Sequence, residues 1–199
     1  MKKVFAIAAA LMLIGTTAFA QSFGAGYVQS TANSTTSNGF YAGFGYTAEI
    51  MPGLSLNPGL YYELLTSSTG GNIGSWASYS GKTTEHYVNV PLHLSFAMAF
   101  APTFKLFIYG GPTANVGIAS STKVSGNVLG FGGSDTIDNY GENSNYSRFD
   151  IMAGGGIGAE VMNKFRVNVG YDFGLLDRDK TDNGTLKRNR LTAGVALVF

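Results

Sequence analysis

The sequence predicts a single eight-stranded antiparallel up-and-down transmembrane β-barrel preceded by a cleavable signal peptide. Three observations predict it. The amino terminus has the pattern of a secretory leader, the rest of the chain holds no apolar run long enough for a spanning helix, and eight segments alternate apolar with polar residues.

The leader is read from Lys2 and Lys3, the apolar run from Val4 to Ile14, and the small-residue ending Ala18-Phe19-Ala20. Cleavage is expected to leave Gln21 at the terminus, dividing the chain into a signal peptide, 1–20, and a barrel domain, 21–199. An anchoring helix is the alternative, but this run is too short for a hydrocarbon core that requires about 20 residues. The absence of cysteine excludes disulfide staples and thiol catalysis. Without Lys2 and Lys3 the chain carries 11 basic against 12 acidic residues, so charge gives no case for a nucleic-acid partner.

The chain's 28 glycines, 11 tyrosines and 14 phenylalanines suit strands and tight turns. A membrane protein without spanning helices must close its sheet, because lipid cannot satisfy an open edge. The clearest strand is 165–175, where Phe165, Val167, Val169, Tyr171, Phe173 and Leu175 alternate with Arg166, Asn168, Gly170, Asp172 and Gly174. The same period marks 40–50, 54–64 and 88–100. Segments 23–29, 104–118, 146–161 and 188–199 complete an even count of eight.

Connections alternate short and long. Met51-Pro52-Gly53, Ala101-Pro102-Thr103 and Met162-Asn163-Lys164 are expected to turn at the periplasmic face, and 31–38, 66–84, 120–145 and 177–187 to form external loops. Three-residue turns set Ile50 opposite Leu54, Phe100 opposite Phe104, and Val161 opposite Phe165, all on apolar faces. A slip of one residue would turn a polar face to lipid. A soluble sandwich or lipocalin-like barrel also alternates, with its apolar face inward. Aromatic residues at both ends of the apolar faces favour the membrane barrel: Phe100, Phe104, Phe165 and Phe199 at one rim, Phe40, Tyr62, Phe149 and Phe173 towards the other. The last strand alternates to the terminal Phe199, an ending similar to the signal read by the outer-membrane β-barrel assembly machinery. That machinery and outer-membrane lipid are the expected partners.

Five segments resemble the PorT-type outer-membrane β-barrel family of Bacteroidetes: 56–62 (LNPGLYY), 87–94 (YVNVPLHL), Gly110-Gly111-Pro112, 154–160 (GGGIGAE) and 169–175 (VGYDFGL). The resemblance covers nearly the whole barrel domain and implies its architecture and an outer-membrane location. The named member of that family is linked to secretion of cargo proteins, but barrel motifs do not transfer such a role.

Inward positions collect Glu49, Glu63, Lys105, Arg148, Asp150, Glu160, Arg166, Asp172 and Arg190, with Glu160 directly opposite Arg166. An eight-stranded barrel has room for side chains or one small ligand, so these near-balanced charges are expected to pair and plug the lumen. The alternative is an ion or proton path, and with it a narrow transporter or secretion component. A lipid-modifying enzyme is a further alternative. It would use His86, beside Glu85 at the mouth of the fourth strand, as base, with Ser78, Ser80, Ser95 or Ser147 as nucleophile. His93 lies inward at mid-strand, beyond easy reach of a lipid ester. No serine and carboxylate fall into a triad with His86, so no enzyme and no cofactor are expected.

Asp135, Asp138, Asn139 and Glu142 crowd the third loop, but their spacing departs from a calcium-binding EF-hand, and a solvated acidic loop is expected. Trp76 and Tyr79 in the second loop suit contact with a glycan or a protein partner, or packing on the barrel rim; an extracellular or secretion-system protein is the expected class of protein partner. Asn33-Ser34-Thr35, Asn145-Tyr146-Ser147 and Asn183-Gly184-Thr185 match the glycosylation pattern and read as ordinary loop polarity. The glycines at 154–156 and 158 lie within a strand, which excludes a nucleotide loop and points to room for bulky lumen side chains. The expected role is structural, or surface interaction through the external loops.

Overall fold

The computed structural model describes residues 19–73, 77–128, 131–141, 146–179 and 186–199. Nine strands follow in order: β1 (Phe19–Ala32), β2 (Thr35–Met51), β3 (Leu54–Ile73), β4 (Ala77–Ala101), β5 (Phe104–Val128), β6 (Phe131–Asp138), β7 (Phe149–Val161), β8 (Phe165–Gly174) and β9 (Arg188–Val198). All but β6 form a closed antiparallel ring, in which β4 pairs with β5, β5 with β7, and β9 with β1. This is the eight-stranded barrel that alternation predicts. Gln21 and Phe199 exchange backbone hydrogen bonds of 3.1 and 2.8 Å, so the terminal residue closes the ring. Residues 1–18, nearly all of the expected leader, lie outside the described residues.

The expected hairpin register holds with one adjustment. Val161 faces Phe165, but the first pairs at the other two periplasmic turns are Met51–Leu54 and Ala101–Phe104. Ile50 and Phe100 are extruded as bulges, and from Glu49–Ser55 and Ala99–Lys105 the expected register resumes. Parity is therefore preserved along the wall. The predicted outward residues, among them Phe44, Leu94, Phe96, Ile108, Ile157, Val169 and Val195, are exposed on the lipid face, as are the aromatic residues of both rims.

Three expected external loops are largely sheet. Strands β1 and β2 pair as far as Ala32–Thr35, leaving only a tight turn with Asn33 at φ 52°. The second and third loops are extensions of the ring: 66–73 pairs with 77–84, 77–86 with 119–128, and 121–128 with β6. Together they form a four-stranded flap beyond the membrane. These segments, such as 66–69 (TSST) and 121–124 (STKV), include residues of good strand propensity, but apolar residues on one face are as sparse as Tyr79, Val124 and Ile137. Alternation of hydrophobicity, the signal that finds the ring, is absent there. The flap leaves the wall at Gly117, where register shifts between the His86 and Tyr87 pairings. The predicted strand 146–161 begins at Phe149, with Tyr146 instead bridging to Asp179.

Inside the ring, large side chains are seated on glycines of neighbouring strands. A Cβ built on Gly156 or Gly170 would lie 2.6 or 2.3 Å from the Tyr109 hydroxyl, and one on Gly158 would lie 2.3 Å from the Phe107 ring. The run at 154–158 thus provides room for rings, as its place in a strand suggests.

Candidate functional site

The lumen divides into two halves of different construction. In the extracellular half, Glu63 accepts hydrogen bonds from Arg188 (3.1 Å), Arg190 (3.2 Å) and Asn89 (2.8 Å). Arg190 also donates to Asp172 through Nη2 (2.6 Å) and Nε (3.0 Å), and Arg188 Nη2 to Asn115 (3.4 Å). The layer draws on β3, β4, β5, β8 and β9, and strand alternation is what turns all of these side chains inward. Glu63 is 1% exposed and Arg188 2%.

Buried Val28, Leu65 and Tyr87 form an apolar cluster in the same half. The Arg188 guanidinium lies 4.0 Å from the centre of the Tyr87 ring, and Arg178 from the last external connection lies 5.4 Å from it. Arg178 donates to the Tyr140 hydroxyl at 3.2 Å and to the Ser147 carbonyl at 3.3 Å. The outer end of the lumen is filled by a stack of cations and aromatic rings held by buried carboxylates.

The periplasmic half is open. A cavity of about 590 Å³ reaches from the turn residues Gly53 and Asn163 up to Glu63, Asp172 and Arg190. Near its mouth Glu160 bonds Lys105 at 3.0 Å and Arg166 at 2.6 Å, and Arg166 also donates to the Thr47 hydroxyl at 3.0 Å. Asn57 links Thr47 to Ser95 with bonds of 3.0 and 2.7 Å. Higher up, His93 stacks on Tyr109 with centroids 5.3 Å apart and bonds the Thr113 hydroxyl at 3.2 Å.

Of the nine inward charges expected from sequence, Glu63, Asp172 and Arg190 meet in the outer layer, and Lys105, Glu160 and Arg166 meet near the mouth. Asp150 is buried beside this layer with neither carboxylate oxygen hydrogen-bonded among the described residues. Glu49 lines the mouth and makes no ion pair among the described residues. Arg148 departs from the expectation. It precedes β7, is exposed, and packs over the Tyr140 ring at 5.0 Å while donating to the Tyr140 carbonyl at 2.8 Å. Tyr140 follows β6 and is buried at the outer end of the lumen, so Arg148 caps that end and joins neither charge cluster. Arg188 and Arg178 were missed: the first shares the parity of Arg190 at the strand's start, and the second sits in a connection without periodicity.

The remaining candidates disperse. His86 faces outward and bonds the Tyr62 hydroxyl through Nδ1, while Glu85 accepts from Tyr87 at 2.7 Å on the opposite face. Asp135 and Asp138 sit at odd spacing on β6, hence on opposite faces, and Asn139 bonds Ser120 and Thr122 at 2.9 Å each. Among the described residues no group of three His, Cys, Asp or Glu side chains is placed to hold a metal. Trp76, Glu142, Asn145 and the tripeptide at 183–185 lie outside the described residues.

No curated protein matches the chain. Solved structures similar in fold include the attachment invasion locus protein Ail of Yersinia pestis, at 13% identity over 92% of this chain and 100% of that one, with a TM-score of 0.41. Neisserial surface protein A is 11% identical over 93% and 99% at a TM-score of 0.45, and OprG of Pseudomonas aeruginosa 11% over 93% and 98% at 0.43. The family model for the outer membrane protein beta-barrel domain matches residues 13–179. The chain belongs to that family, an integral barrel of the Gram-negative type of outer membrane.

Proposed function

We propose that this barrel is a non-conducting, non-enzymatic scaffold that holds a polar flap above the outer membrane for contact with an extracellular partner. The observation that carries the reading is the buried layer of Glu63, Asp172, Arg188 and Arg190, whose ion pairs link strands across the outer end of the lumen. An ion crossing it would have to break charge-assisted bonds in a site of low dielectric.

The flap supplies the contact surface. Its face continuous with the lumen wall carries exposed Tyr79, Val124 and Ile137, an apolar set among glycine, threonine and Asp135. The motifs quoted above support a PorT-type assignment within the family, and with it a secretion-system protein as one class of partner. Phe199, exposed at the periplasmic rim, is the residue through which the assembly machinery would recognise the last strand. Single-channel recording of the refolded chain in planar bilayers tests the reading. A flat baseline is expected, and steady steps of the nanosiemens class would overturn it.

A further inference from the structure

We propose that the periplasmic half of the lumen is a binding site for an uncharged saccharide. Access is from the periplasm, since the cavity begins among the short turns and ends blind beneath the Glu63–Arg190–Asp172 layer. Its volume of about 590 Å³ falls within the range of roughly 300–1,000 Å³ common for small-molecule sites.

The space exists because the inward rings lean on glycines instead of crossing the bore. A Cβ on Gly194 would lie 2.0 Å from the Tyr41 hydroxyl, and one on Gly59 would lie 2.6 Å from the Tyr61 ring. With Phe107 and Tyr109 seated in the same way, four aromatic side chains line one chamber. Sugar rings present apolar C–H faces and hydroxyl edges, so they match walls that alternate aromatic rings with amides and hydroxyls. The Tyr61 hydroxyl makes no hydrogen bond among the described residues, and Asn57, Ser95 and Asn168 stand around the same space.

Charge selects against ionic ligands. Glu160 is matched by Lys105 and Arg166, and Glu63 and Asp172 by Arg188 and Arg190. Among the described residues that line the chamber, the carboxylate without an ion pair is Glu49, out at the mouth. An anion or cation entering the chamber would break an existing pair or go uncompensated, whereas a neutral polyol exchanges one set of hydrogen bonds for another.

Calorimetric titration of the full barrel in detergent micelles tests this. The probes are maltose, N,N′-diacetylchitobiose, glucose 6-phosphate and solubilised uncharged glycan strands of N-acetylglucosamine. A neutral disaccharide should bind saturably, at least tenfold tighter than the phosphate. Binding of disaccharide assigns the site to free sugar, and binding of glycan strands alone assigns it to a strand terminus; either supports the proposal. Ala97→Trp, which fills the chamber from β4, should abolish binding, and Tyr61→Ala should weaken it at least tenfold. Ile157→Ala, on the lipid face, should leave it unchanged. Absence of saturable binding by every neutral probe, a preference for the phosphate, or undiminished binding by a folded Ala97→Trp barrel would overturn the assignment.

Discussion

The two halves of the lumen are built from the same eight strands with the same inward period, yet one is filled and the other hollow. The outer half places long side chains of opposite charge on facing strands, and their pairing spans the bore. The periplasmic half alternates glycine with aromatic residues, and each ring lies back on a neighbour that lacks a side chain. Whether a small barrel is plugged is therefore decided level by level rather than by strand number alone.

The largest expected effect comes from breaking the outer layer. Glu63→Ala takes from Arg188 its ion-pair partner in a site closed to solvent, and from Arg190 one of two carboxylates. Removal of one partner from a buried pair costs about 3–5 kcal/mol. Urea unfolding from lipid vesicles should show a loss of that size. The double replacement Glu63→Met, Arg188→Met removes both charges at similar volume and should recover most of it. A loss below about 1 kcal/mol for the single variant would mean that water reaches the layer and that the two halves do not differ.

The periplasmic cluster should respond more weakly to the same chemistry. Glu160 is mostly buried, but the Lys105 side chain is 38% exposed and Arg166 22%. Water replaces the lost partner, so Glu160→Gln should cost on the order of 1 kcal/mol, and less as salt rises. The same unfolding assay in low and high salt checks it. Insensitivity to salt would show that the mouth is closed.

The ring was legible in the sequence because lipid imposes a period of two on every strand that crosses it. Phe165 to Leu175 shows this without interruption, and the pairing of Glu160 with Arg166 followed from turn length alone. The flap was not legible, since residues such as Ser67, Thr69 and Thr83 have solvent on both faces and carry no periodic signal. Inward charges were found as a set, but their division into two clusters was not. Height along the barrel depends on the stagger between strands, and alternation fixes only the face. Arg178 reaches Tyr87 from an irregular connection, a contact no local pattern encodes.

The smallest effect expected is at Gly45, and it probes the hollow half directly. A Cβ there would lie 2.8 Å from the Tyr61 hydroxyl and 3.0 Å from the Ser22 hydroxyl, both at the far ends of side chains that can turn. Tyr61 has the open chamber to move into, so Gly45→Ala should cost no more than about 1 kcal/mol, the low end for an added methyl, in the unfolding assay. In the outer half a Cβ on Gly117 would lie 2.1 Å from the Tyr140 hydroxyl, and that ring is held by Arg148 and Arg178. Gly117→Ala must displace a packed stack and should exceed the Gly45 effect severalfold. Equal losses at the two glycines would mean that the rings of the periplasmic half are as tightly confined as those outside, and the contrast between the halves would fail.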